Sequence, residues 1–393
     1  MNKKEETPLL RLAYIQEPAA LQETCELLRS QAEIAVDLEF DDMNFAYGRH
    51  LSLVQVWANG TSYLIDAIHL EDLSPLWQVL EDERITKIFH SCRNDLLLLS
   101  EVYQVCVRNV LDTGIMYRLL GEGENEISLK DVLKSKLNVE LEKGEQTSNW
   151  LVRPLTESQC RYAAYDVAYL IPLKNLLQKQ LATADRLGWM EEECVALESI
   201  RYQPDEEAYL RVAKKYKVPP HLLPFLKELY AFRDRLAREL NKPSYWVFSN
   251  DTLSKLVLNP PKTAEEWKQL KGVHSVVKQS AHVNELLQLY KNTKSVVPAL
   301  AAPAGRPKVL ARDKRKVSNR QKHLTREARK ALLTALKPVV AERHGQHIAN
   351  FFMTNRRCEE IMEQGSDKIL NQWQKDILIE CCKAHSLDYR IIQ

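Results

Sequence analysis

Residues 33–42 read EIAVDLEFDD, and no other stretch constrains the fold as strongly. Ile34, Val36, Leu38 and Phe40 recur at every second position, the alternation of a strand with one face in a core. Asp37 and Glu39 therefore share the other face, about 7 Å apart along the strand. On an open surface they are ordinary solvated residues. In a cleft, two like charges so close repel unless a cation lies between them.

Composition sets the frame. A chain of 393 residues with 45% hydrophobic content is long enough for two or three domains. A formal charge of +2 names no partner by itself. The eight cysteines (Cys25, Cys92, Cys106, Cys160, Cys194, Cys358, Cys381 and Cys382) form no C-x-x-C pair and no zinc-spaced cluster. They read as reduced thiols of a cytosolic protein. The N-terminus has no apolar signal core, and no apolar run nears the ~20 residues of a membrane span, so a soluble cytoplasmic protein is expected.

Runs 34–40, 51–57 and 61–66 read as three strands of an antiparallel meander. A helical LSPLWQVLED follows, then the strand ITKIFHS. Next come the helices NDLLLLSEVY, DTGIMYRLLG and SLKDVLKSKL, and a long one from Thr156 to Ala184, where Thr156 and Gln159 have capping-box spacing. The expectation is an α/β domain over 1–203, with a mixed sheet in βββαβα order. Residues 204–293 turn helical throughout, with Pro219-Pro220 and Pro260-Pro261 as breaks. Residues 294–323 read as an Ala/Pro-rich basic linker. Residues 324–393 read as a second, diverged copy of the first helical unit.

Two more acids stand out. Asp95 opens a helix after the strand ITKIFH. Asp166 lies among Ala163, Ala164, Val167, Ala168 and Leu170, too apolar a setting for a solvated face. A buried carboxylate wants a cation or a hydrogen-bond donor. Tyr162, four residues earlier, shares its helical face.

VDLEF (Asp37, Glu39), FHSCRND (His90 to Asp95) and YAAYD (Tyr162, Asp166) occur in the order of the three exonuclease motifs of the DEDD superfamily and closely resemble them. Tyr162 marks the tyrosine branch. The match continues through LEDLSPLWQVLEDERITKIFHS, NVLDTGIMYRLLG and NWLVRPLTESQCRYAAYDVAYLIPL, and the chain resembles the ribonuclease D family. ELYAFRDRLARELNKPSYWVFSNDTLSKLVLNPPKTAEEWKQLKG resembles the helicase and RNase D C-terminal (HRDC) domain. Essentially the whole chain is covered.

The resemblance implies an RNase H-like fold followed by two all-α HRDC-like domains. It implies a 3′-5′ exoribonuclease that releases nucleoside 5′-monophosphates from RNA 3′ ends, tRNA precursors and other structured RNAs among them. Asp37, Glu39, Asp95, Tyr162 and Asp166 are the catalytic set, and the four acids are ligands of two divalent ions, Mg2+ or Mn2+. Hard cations select oxygen ligands, and four carboxylates balance two dications. Asp37 is assigned as the bridge, Glu39 and Asp166 to the water-side ion, and Asp95 to the second. Tyr162, with an ordinary pKa near 10, is a poor base and is expected to orient the water.

His90 and Arg153 also match family segments and are candidate substrate contacts, Arg153 either touching phosphate or ordering its loop. Tyr245 and Trp246, beside Lys242, are candidate base-stacking residues. Residues 306–330 hold eleven Lys/Arg against Asp313 and Glu327, a phosphate-binding composition. Asp41 and Asp42 are expected in a solvated turn. Alternatives are a DNA-directed DEDD exonuclease acting on single strands and an inactive RNA-binding protein. The five motif residues argue against the last. No membrane partner is expected, and the chain is expected to be a monomer.

Overall fold

The computed structural model describes residues 10–121, 128–141, 144–296 and 312–393. Its centre is a six-stranded sheet in the order β1-β4-β3-β2-β5-β6. The strands are β1 (Arg11–Ile15), β2 (Glu33–Asp42), β3 (Arg49–Ala58), β4 (Thr61–Asp66), β5 (Thr86–Phe89) and β6 (Val110–Asp112). β2, β3 and β4 pair antiparallel, as the three runs of alternating residues require. β1, β5 and β6 join in parallel, making the sheet mixed.

The βββαβα order holds from β2 onward. It is preceded by β1 and by a helix, α1 (Pro18–Arg29), that the sequence reading lacked, and the short β6 stands just before the helix expected at residue 112. One face of the sheet packs on α1, α2 (Ser74–Glu81) and α3 (Arg93–Leu98), burying Val36, Leu38, Val54 and Val56 with Leu21, Leu28 and Val79. α4 (Thr113–Leu120) and α5 (Leu129–Leu137) follow.

The opposite face is covered by α6 (Glu157–Ala168) and α7 (Leu170–Thr183). Here Leu53 and Leu64 meet Ala163 and Ala164. The long helix expected from Thr156 is therefore two. The break at Tyr169 puts Pro172 in the first turn of α7, where its missing N–H leaves no hydrogen bond unmade. The Thr156–Gln159 capping box is present. The helix α8 (Leu187–Glu198) closes this part.

A helical unit follows, built from α9 (Ala208–Tyr216), α10 (Leu223–Glu239), α11 (Ser244–Val247), α12 (Asn250–Leu258), α13 (Ala264–Gln269) and α14 (Ser280–Val296) around Leu226, Phe232, Phe248 and Trp267. The stretch read as a linker is helical at both ends, up to Val296 and from Arg312, and 297–311 lie outside the described residues. So does the start of the basic run 306–330. The last unit comprises the helices Arg312–His344, Gln346–Phe352, Asn355–Gln364, Ser366–Ile369 and Gln372–Ala384. Its apolar side is continuous with the core of α4, α5, α7 and α8. Among the described residues no helix is long and apolar enough to cross a membrane.

Candidate active site

β2 delivers Asp37 and Glu39 onto the face covered by α6, and α6 delivers Asp166 from above. The ligand oxygens of these three lie within 4.8 Å of one another. Asp95, in the first turn of α3 at the end of β5, stands beside them, 8% exposed. Asp166 is 9% exposed. Four acids from three separate segments thus converge on one place.

Their electrostatics follow from crowding in a poorly solvated place. Burial pushes the Asp37 carboxyl up to about 7. Glu39 is raised well above the carboxylate range by burial and then by Asp37, Asp166 and Asp95. Asp95 is raised by burial, then by Asp37 and Asp112. Asp166 is raised by burial and by Asp37, against a hydrogen bond from Tyr162 that opposes the rise. The Tyr162 phenol is pushed further up by burial and by the charges of Asp166, Glu39 and Asp37, so it remains an intact O–H.

The register of β2 on β3 shifts between Glu39 and Phe40: Glu39 faces Leu53, Phe40 faces Leu51, and Ser52 is the extra residue of a bulge. The bulge turns Ser52 toward the loop before α6, where its hydroxyl hydrogen-bonds the Trp150 carbonyl. Arg153 donates to the same Trp150 carbonyl at 2.6 Å and to the Ser52 carbonyl at 2.8 Å. Its Nε and Nη2 also clasp Asp66 at 2.7 and 2.8 Å. Of the two roles open for Arg153, the loop-ordering one is what the geometry displays, because its donors are committed inside the protein. The Trp150 ring it holds in place lies 6.1 Å from that of Tyr162.

His90 closes β5. The Thr113 hydroxyl donates to the Phe89 carbonyl, so it must accept from His90 Nδ1, 2.9 Å away, which fixes the proton on Nδ1. Beside it the buried Asp112 accepts from the N–H groups of Ser91, Cys92, Gly114 and Ile115, tying the turn that carries Asp95 to the start of α4. A Cβ at Gly114 would lie 2.5 Å from Ser91 Oγ, so that hydroxyl would have to turn aside.

Asp41 is not in a solvated turn. It is buried, and its carboxylate accepts the backbone N–H groups of Asn44, Phe45 and Ala46, shaping the loop after β2. Asp42, exposed, pairs with Arg49. The shaped loop docks the first helical unit: Tyr47 donates to Asp234 at 2.8 Å, and Tyr245 donates to the Asn44 carbonyl at 3.0 Å. Tyr245 and Trp246 are 56% and 54% exposed, with Lys242 Nζ 5.3 Å over the Trp246 ring. Phe45, 43% exposed, follows Asn44 on the same loop and was not singled out in the sequence. Phe232, Phe248 and Trp267 are core.

Asp41, Asp66 and Asp112 were also missed as organisers of the site. Only Asp112 carried a local signal, an Asp-Thr-Gly at a helix start, where Asp caps well.

A 3′-5′ exonuclease family model matches residues 12–182, and an HRDC domain model matches 223–290. Ribonuclease D of Haemophilus influenzae is 31% identical over 281 residues, 70% of this chain and 69% of the relative. Ribonuclease D of Shewanella sp. is 30% identical over 299 residues, 74% and 76% of the two chains. The crystal structure of Escherichia coli RNase D, described as an exoribonuclease involved in structured RNA processing, superposes with a TM-score of 0.73 over 96% of this chain and 100% of that one, at 24% identity. The catalytic core of RRP6 from Trypanosoma brucei shares the fold at a TM-score of 0.64 and 24% identity, over 73% and 80% of the chains. Matched over both its exonuclease and its HRDC segments, the chain belongs to the ribonuclease D family.

Proposed function

We propose that the protein is a metal-dependent 3′-5′ exoribonuclease that removes nucleoside 5′-monophosphates from RNA 3′ ends. The observation that carries this reading is the convergence of Asp37, Glu39 and Asp166 within 4.8 Å, with Asp95 at their side. Every donor in the set is an oxygen, the chemistry that magnesium or manganese selects. Burial and mutual repulsion leave the carboxyls holding protons that a dication would displace, so the residues fit such ions.

Asp37, Glu39 and Asp166 would hold one ion, and Asp37 with Asp95 a second. When bound, a pair of divalent ions supplies an acidified water and neutralises charge on the phosphoryl group and the leaving 3′-oxygen. Tyr162, its proton retained, orients the attacking water by hydrogen bonding. Trp150, clamped from below by Arg153, supports the phenol ring. The imidazole of His90, oriented by Thr113, sits at the strand end leading to Asp95 and serves as a substrate contact.

Phe45, Tyr245 and Trp246 present exposed rings on the two sides of the joint between nuclease and HRDC unit, Phe45 lying three residues beyond the strand that carries Asp37 and Glu39. Stacking there suits single-stranded RNA 3′ ends on their way to the cleft, such as those of tRNA precursors. Eight free cysteines suit a cytoplasmic enzyme, and the protein is read as a monomer. The C-terminal unit is read as a second, diverged HRDC-like module: its five helices and α10 to α14 of the first unit both run long, short, medium, short, long in helix length.

The test is degradation of 3′-labelled RNA and DNA with magnesium or manganese, beside Asp166→Asn. Stepwise loss of 3′ mononucleotides from RNA, abolished in the variant, is expected. Equal activity of the variant would refute the site, and activity on DNA alone would make the protein a DNA-directed exonuclease.

A further inference from the structure

Gln55 lies in the middle of β3, fully buried, and among the described residues neither its Nε2 nor its Oε1 has a hydrogen-bond partner. A buried amide with both ends unmatched is costly, and native structures rarely keep one without a use. A Leu or Val in its place would suit the alternation of the strand equally well.

Its location shows the use. In the β2–β3 register Gln55 stands directly opposite Asp37, and on its other side it pairs with Leu64 of β4. Directly opposed residues of antiparallel strands share a face and hold their Cβ atoms about 4.5–5.5 Å apart. The next same-face residue of β3, Leu53, packs beneath Ala163 and Ala164 of α6, so Gln55 points into the layer over which Asp166 stands. The other polar groups of β3 and β4 near that layer are spoken for: Ser62 donates to the Ala164 carbonyl, and Asp66 is held by Arg153. Asp37, directly across the strand pair, is within an amide's reach.

We propose that Gln55 is a positioning residue for this centre. Its amide N–H would donate to the Asp37 carboxylate once a divalent cation keeps that carboxylate ionised. The inference rests on the metal-site reading above and adds a residue to it that is no ligand. Partners of this kind fix the rotamer of a ligating carboxylate, and their loss typically weakens metal affinity 10–100-fold.

The experiment is Mn2+ titration of the full chain near neutral pH by calorimetry, for the parent, Gln55→Met and Gln55→Leu, with melting temperatures recorded in EDTA. Mn2+ affinity is expected to fall about 10–100-fold in both variants. Their metal-free melting temperature is expected to hold or rise, because an apolar side chain of similar size removes two unmade hydrogen bonds. Unchanged affinity in a folded variant overturns the role of Gln55 alone. A lower EDTA melting temperature in both variants also overturns it, making Gln55 a structural residue. A parent that binds no Mn2+ overturns the metal-site reading and takes Gln55 with it.

Discussion

Arg153 grips Asp66 side-on, Nε to Oδ2 at 2.7 Å and Nη2 to Oδ1 at 2.8 Å, across 87 residues of sequence. Asp66 is fully buried and also accepts from Tyr14 and His69. Removing one partner of such a pair leaves an uncompensated charge and costs about 3–5 kcal/mol. Arg153→Met should therefore lower stability by about that amount in urea unfolding, with catalysis falling as Trp150 loosens under Tyr162. Arg153→Lys, which cannot form the two-pronged contact, should recover only part. If Arg153 instead bound phosphate, both variants would keep parental stability and the salt dependence of RNA binding would flatten.

The same pair predicts the acid limb of the stability curve. Burial raises the Asp66 carboxyl, but hydrogen bonds from Arg153, Tyr14 and His69 outweigh it and hold the group well below the usual carboxylate range. A folded-state pKa below the unfolded value, about 4, contributes stability that is fully present above pH ~4 and is lost as pH falls toward the folded value. Asp66→Asn should thus be less stable than the parent at neutral pH and converge with it in acid. Parallel stability profiles down to low pH would contradict the assignment.

The acidic cluster was legible because its signals are local. Alternation put Asp37 and Glu39 on one face, and i, i+4 spacing put Tyr162 beside Asp166. What was illegible depends on partners far along the chain or on loop shape. Arg153 could be given a role only once Asp66 and Ser52 were beside it. Asp41 looked like a surface acid because its three N–H donors belong to a loop whose path the sequence does not announce. β1 and β6, five and three residues long, are too short to show a period. The break at Tyr169 did carry a signal, Pro172, within an otherwise unbroken helical pattern.

Metal removal should reveal the acidic centre through pH. With Asp37 at about 7 and Glu39, Asp95 and Asp166 also raised, the metal-free folded state holds more protons than the unfolded chain above pH ~4. Its stability therefore falls as pH rises through about 7. Manganese should offset this, so the gap between melting temperatures in Mn2+ and in EDTA should widen with pH across that window. A gap independent of pH would mean that the bound ion does not displace these protons.

The HRDC joint should act on binding and not on chemistry. Trp246→Ala should weaken binding of a single-stranded RNA by about 1–3 kcal/mol, the worth of one stacked base, and raise KM accordingly. Turnover at saturating RNA should stay near the parental value, since Trp246 lies in the HRDC unit and not among the acids. Phe45→Ala, on the loop shaped by Asp41, should behave alike on KM. Loss of kcat in Trp246→Ala with KM unchanged would place the residue elsewhere in the cycle.

Glu193 fastens the C-terminal unit to the nuclease domain. Its Oε1 accepts from Asn371 Nδ2 at 2.7 Å, Trp373 Nε1 at 3.0 Å and Gln374 Nε2 at 2.7 Å, while the Trp373 ring stacks on Trp189 at 4.6 Å. Trp373 and Gln374 are buried, so Glu193→Leu strands two interior donors at about 1–3 kcal/mol each. Trp373→Ala empties a large site and should cost about 3–5 kcal/mol. Because the helices at residues 312–384 share one apolar core with α4, α7 and α8, neither loss can stay within the C-terminal unit. Hydrogen exchange should show faster opening of α4 and α8 together with Gln372–Ala384 in both variants. Exchange quickened in Gln372–Ala384 alone would mean that the unit unfolds independently and that the shared core does not couple it to the catalytic domain.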